Sequence, residues 1–142
     1  MNKTIENFGY PASLVEEYTH WVVLLRPQQA TLGALILACK EDVLAFGEIS
    51  EQAHTEMKRI TSDLETCLKK CFGYQKMNYM MLMMVDPDVH FHVLPRYATT
   101  QKFERVMFDD PGWPALPNLG HAAQVSDTCR AALLSHLKEN WG

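Results

Sequence analysis

The chain has no surplus of positive charge. Its 142 residues carry 13 lysines and arginines against 17 aspartates and glutamates, a formal net charge of -4. With no Lys/Arg cluster either, no electrostatic footprint for a nucleic-acid partner is present, and an anionic substrate must be held by local donors. No stretch approaches the roughly 18 apolar residues of a membrane span, and Met1 to Asn7 lacks the apolar run of a signal peptide. No membrane partner is expected. The four cysteines, Cys39, Cys67, Cys71 and Cys129, form no Cys-x-x-Cys pair. A disulfide framework is not expected, and a reducing cytoplasm is the expected location. Cys67 and Cys71 fall on one helical face and read as core thiols rather than ligands. A Walker loop, a GxGxxG turn, a Ser-His-Asp order, repeats and low-complexity tracts are all missing.

What is present suits one globular domain over 1–142, with a core at about 20–108 and a C-terminal extension at about 109–142. Hydrophobic residues make up 47% and charged residues 21%, enough apolar material to bury a core without staples. The pattern predicts a short helix from Pro11 to Thr19 and strands at His20 to Leu25 and Leu32 to Ala38, joined as a hairpin. The second strand is nearly all apolar and should be buried on both faces. A helical turn is expected at Glu41 to Gly47. Ser50 then reads as the N-cap of a long helix to about Phe72, with Ala53, Met57, Ile60, Leu64, Cys67, Leu68 and Cys71 at helical spacing and Gly73 past its end. Strands follow at Asn78 to Val85 and Val89 to Pro95, with Asp86-Pro87 as a tight turn between them. A fifth strand is expected at Gln101 to Phe108, a proline-rich loop at Asp109 to Gly120, and a last helix capped by Ser126 or Asp127. Hairpins around a lone long helix, without βαβ alternation, indicate an α+β domain with a roughly five-stranded antiparallel sheet.

The chemistry concentrates in Asp88-Val89-His90-Phe91-His92-Val93-Leu94-Pro95-Arg96-Tyr97. Apolar and polar residues alternate, so this is a strand whose residues two apart share a face. Asp88, His90 and His92 fall on one side, about 7 Å from neighbour to neighbour. Val89, Phe91 and Val93 fall on the other. Asp-x-His-x-His also offers an O,N,N face to a metal ion, so a metal-binding reading stays open. His54 reads as a surface residue. His20, His121 and His136 are isolated, and Trp113 reads as an anchor for its loop.

This segment resembles the signature of the histidine triad superfamily, in which three histidines alternate with apolar residues along a strand, often followed by Pro-Arg. The likeness extends upstream. Thr31-Leu32-Gly33-Ala34-Leu35-Ile36-Leu37 is similar to the family's Pro-Gly-His strand, and Val43 to Ser50 to its link into the long helix. The resemblance covers roughly Trp21 to Tyr97.

The resemblance implies a nucleotide hydrolase or nucleotidyl transferase without a cofactor, acting on dinucleoside polyphosphates or related conjugates and working as a homodimer. It makes His90 the nucleophile that attacks the α-phosphorus and His92 a donor to a phosphate oxygen. Asp88 stands where the family has its first histidine, and would be protonated or would orient His90 or His92. Arg26 and Arg96 would bind substrate. Asp88, Ala34, Arg26 and the short Asp86-Pro87 turn depart from the family pattern. A catalytically silent nucleotide-binding protein, and a metal-binding protein using Asp88, His90 and His92, are the other classes the sequence leaves standing.

Overall fold

The computed structural model describes residues 1–142. Its clearest local signals lie on one helix, α2, Glu51–Phe72. The Ser50 hydroxyl oxygen accepts from the Ala53 N–H at 3.0 Å, satisfying one of the donors orphaned at a helix start. The Glu41 carboxylate in turn accepts from both the N–H and the hydroxyl of Ser50. Lys69 and Lys70 occupy the last turn, and Gly73 closes the helix at φ 63°, a conformation that costs a glycine little. Ala53, Ile60, Leu64, Cys67 and Leu68 form its buried stripe.

That stripe packs on a five-stranded antiparallel sheet. Its strands are β1 (Leu14–Glu17), β2 (Trp21–Leu25), β3 (Leu35–Cys39), β4 (Lys76–Met80) and β5 (His90–Arg96), in the spatial order β1-β2-β3-β5-β4. Every residue of β2 and β3 is buried, because both faces of the sheet are covered. Trp21, Val23, Leu25, Leu35, Leu37 and Cys39 face α2 and the helix α3 (Asp127–Asn140). Val22, Leu24, Ile36 and Ala38 face the opposite way, against Ile5 of a short N-terminal helix, α1 (Lys3–Asn7). Coverage on both sides explains why these strands read as continuous apolar runs rather than as alternation.

Several boundaries differ from the sequence reading. Pro11 to Thr19 is not a helix: Leu14–Glu17 pairs with β2 as an edge strand. Consecutive residues decide it, since Leu14 joins the cluster under α1 and Val15 the cluster under α2, which is strand geometry. Between Glu41 and Gly47 no full helical turn forms; a 3₁₀ turn covers Phe46–Glu48. The strand expected at Asn78 to Val85 stops at Met80, and 81–89 is a loop with Met84 and Val85 exposed. Gln101 to Phe108 is not a fifth strand of the main sheet. It folds back on itself as β6 (Gln101–Phe103) and β7 (Val106–Phe108). Glu104 and Arg105 take positive φ at the tip, as a two-residue hairpin turn demands. The sheet still has five strands because β1 supplies the fifth.

Past β7, the Asp109 to Gly120 segment is a loop held by a buried ion pair. The Arg96 guanidinium donates to both carboxylate oxygens of Asp110 (2.7 and 3.0 Å), to Asn78 Oδ1 (2.7 Å) and to the Ala115 carbonyl (2.8 Å). Asp110 also accepts the Tyr97 N–H at 3.1 Å. Both side chains are almost wholly shielded from solvent, so either partner left alone is an uncompensated buried charge. Asp110→Ala is expected to cost about 3–5 kcal/mol of folding stability in urea unfolding followed by circular dichroism. A loss below about 1 kcal/mol, the size of a surface pair, would contradict this account.

Candidate active site

The register of β5 sets which side chains meet. Leu35 faces Val93, Ile36 faces His92, Leu37 faces Phe91 and Ala38 faces His90. Phe91 and Val93 therefore join the packing under α2, while His90 and His92 lie with Ile36 and Ala38 beneath α1. The two imidazoles are 5.2 Å apart, centroid to centroid. Phe8, just past α1, lies over both, 5.5 Å from His90 and 5.9 Å from His92. His90 is 1% exposed and His92 7%.

The partners of the two rings fix where their protons sit. His90 Nδ1 is 2.8 Å from the Asp88 carbonyl oxygen. A carbonyl only accepts, so Nδ1 carries the proton and Nε2 keeps a bare lone pair in the neutral ring. His92 Nδ1 is 3.2 Å from Arg26 Nε. A guanidinium only donates, so His92 Nδ1 is the acceptor and its proton sits on Nε2. The two histidines hold opposite tautomers, one with an open lone pair and one with an open donor. Burial foremost, with the positive Arg26 and neighbouring His90 adding to it, pushes the His92 pKa down from 6.5 to about 4, so the ring is neutral at pH 7.

Arg26 is 8% exposed, and burial lowers its pKa. It lies at the end of β2, where the loop to β3 is stapled by one side chain. The Gln29 amide nitrogen donates to the carbonyls of Arg26 (2.8 Å) and Ala34 (2.9 Å), and its oxygen accepts the Gly33 N–H (2.9 Å). Gly33 has φ 84°, and a Cβ there would come within 2.7 Å of the Phe72 ring. The C-terminal segment braces the same loop: the Ala123 N–H donates to the Gln29 carbonyl, and Arg130 to that of Pro27. Arg26 Nη1 donates to the Gln28 carbonyl, while Nη2 has no protein partner.

Of the residues the sequence singled out, His90, His92 and Arg26 come together. Asp88 does not join them as a side chain. Strand β5 begins only at His90, and Asp88 lies in the preceding loop, with its carboxylate accepting from the Thr4 hydroxyl of α1 at 2.9 Å. Its carbonyl, not its carboxylate, orients His90. Arg96 lies two positions beyond Leu94 with its donors committed to Asp110, Asn78 and Ala115, which corrects its assignment to substrate. No three His, Cys, Asp or Glu side chains stand close enough together to hold a metal ion. Thr4 and Phe8 escaped the sequence reading. The one signal for them was Asn2, whose side chain caps α1 by accepting from the Ile5 N–H. A helix of five residues carries too little periodicity to be read.

No family model matches the chain, and no curated protein does. Solved structures do. A histidine triad protein from Sinorhizobium meliloti superposes with a TM-score of 0.76 at 20% identity, covering 99% of this chain and 95% of that one. A histidine triad protein from Marinobacter aquaeolei gives 0.74 at 21% identity, over 96% and 93%. A hypothetical histidine triad nucleotide-binding protein from Sulfolobus tokodaii gives 0.70 at 15% identity, over 96% and 88%. At these identities the side chains have largely been replaced while nearly the whole backbone path is shared: this chain folds as a histidine triad protein.

Proposed function

We propose that the protein is a nucleotide hydrolase or nucleotidyl transferase that works through a covalent nucleotidyl-histidine on His90. The observation that carries this reading is the opposite tautomers of His90 and His92. His90 Nε2 attacks the α-phosphorus, and a P–N bond to the ring forms as the bond to the leaving oxygen (or, in a phosphoramidate, the leaving nitrogen) breaks. The imidazolium this creates keeps its Nδ1 proton on the Asp88 carbonyl. His92 Nε2–H donates to a non-bridging phosphate oxygen, where charge gathers in the transition state. Water, or another acceptor, then attacks phosphorus from the opposite side and breaks the P–N bond, giving up its proton to solvent and returning neutral His90. Arg26 Nη2 is left free beside His92 to donate to a phosphate, since its Nε is on His92 and its Nη1 on Gln28. For substrate to reach His90, the Phe8 ring has to swing aside.

The expected substrates are dinucleoside polyphosphates, nucleoside phosphoramidates and sugar nucleotides. The catalytically silent alternative shares the fold and lacks the P–N adduct, so intact-protein mass spectrometry after brief incubation with such a panel separates the two. The assembly expected from the resemblance is a homodimer. The free edge of β4 and the exposed Met84 and Val85 beside it favour that assembly, and light scattering at micromolar concentration should give twice the chain mass.

His90→Ala should lower turnover on the best substrate by about 10⁴-fold or more, and His92→Ala by less, because the nucleophile survives. Near wild-type turnover in His90→Ala would end the covalent mechanism. The His92 shift also has a sign in folding. Above pH 6.5 the ring is neutral in both folded and unfolded chains and contributes nothing. As pH falls from 6.5 toward about 4, the unfolded chain takes up a proton that the folded one refuses, and stability drops. The loss should be on the order of 2 kcal/mol after allowance for partial solvent screening. Urea unfolding at pH 7.5 and 4.5 should show a smaller acid penalty in His92→Asn than in the wild type.

A further inference from the structure

The N-terminal helix does more than cover the sheet. Thr4 is 0% exposed, and its hydroxyl is used twice on one residue. It donates to the Asp88 carboxylate at 2.9 Å and accepts the Asp88 N–H at 3.2 Å. The peptide unit that follows carries two consequential groups: the Asp88 carbonyl, which receives His90 Nδ1–H, and the Val89 N–H, which reaches the Val43 carbonyl at a long 3.4 Å. The orientation of that carbonyl depends on the Asp88 backbone, and the short contacts that hold Asp88 come from Thr4. Nearby, Asn7 donates to Asp86 at 3.0 Å, tying the same loop to α1 a second time. Asn2 ties the helix start to the Cys39 carbonyl at 2.9 Å, at the end of the strand that faces His90.

We propose that Thr4 is a positioning residue of the active site: by clamping Asp88 at both its N–H and its carboxylate, it aims the Asp88 carbonyl at His90 Nδ1 and so keeps the nucleophilic Nε2 bare. This inference rests on the reading of His90 as the nucleophile. It also gives the aspartate a purpose at a position where the sequence resemblance leads one to expect a third histidine. A carboxylate there takes a hydrogen bond from α1 and fixes a backbone, touching neither imidazole.

The ring tautomer is measurable without any substrate. Long-range ¹H–¹⁵N correlation spectra of uniformly ¹⁵N-labelled protein at pH 8 should show His90 protonated at Nδ1. In Thr4→Val, which keeps the shape and loses the hydroxyl, the ratio of Nδ1–H to Nε2–H forms at His90 should fall about fivefold, the equivalent of one ordinary hydrogen bond. Thr4→Ser should restore the wild-type spectrum. His92, held by Arg26, should keep its Nε2–H form in all three proteins. Should Thr4→Val fail to fold, Asp88→Ala serves instead, because it removes the acceptor of the Thr4 hydroxyl and leaves the main chain in place. A fall at His90 in the same direction is expected there, smaller because the residue 88 N–H still reaches Thr4. An unchanged His90 tautomer in a folded Thr4→Val or Asp88→Ala protein overturns the proposal. A tautomer shift in a protein that turns over no nucleotide upholds the clamp while removing the proposed function, so the two can fail separately.

Discussion

Everything in the site depends on the pairing of β5 between β3 and β4. Seven residues there serve two unrelated purposes because side chains alternate across a strand. Phe91 and Val93 close the packing beneath α2, and His90 and His92 occupy the opposite face. A slip of one residue would exchange the two sets, driving two imidazoles into an apolar cluster and Phe91 and Val93 toward Arg26. The cost of burying those polar rings without partners means that the register of the core and the register of the chemistry are specified by the same contacts. Neighbouring β3 enforces this from its side, since Ile36 and Ala38 face the histidines while Leu35 and Leu37 face α2.

The parts of the fold that could be read from the sequence were those with long or unambiguous periods. The α2 stripe from Ala53 to Leu68, its Ser50 cap and its Gly73 terminus needed only helical spacing and capping chemistry. The alternation around His90 and His92 revealed a strand and a two-histidine face. What escaped was short or decided by distant partners. Leu14 and Val15 are as compatible with one helical turn as with four strand residues, and pairing with Leu24 and its neighbours chose the strand. Glu104 and Arg105 gave no glycine or asparagine warning of the turn that divides β6 from β7.

The site was half legible for the same reason. His90 and His92 could be named because β-strand geometry and a family pattern both pointed at them, and Arg26 because it departs from that pattern at a position the family uses. The tautomers could not, because they are set by a main-chain carbonyl and by a guanidinium 66 residues away in sequence. Arg96 shows the converse. A Pro-Arg at a strand exit suggests a phosphate contact, yet Asp110, fourteen residues further on, accepts from its Nε and Nη2 while Asn78 and Ala115 take Nη1. No local pattern distinguishes an arginine awaiting a ligand from one already satisfied by its own chain.

The bracing of the β2–β3 loop carries its own consequence. The chain after β7 returns to grip that loop at Pro27 and Gln29, one and three residues from the arginine that sets His92. Disturbance therefore has a short mechanical route from the last quarter of the chain to the paired imidazoles. Loosening of α3 or a cut near Ala123 would remove two of the contacts that hold the loop, leaving those of the Gln29 side chain. The last segment of the chain thus braces a loop beside the two histidines from outside the sheet that carries them.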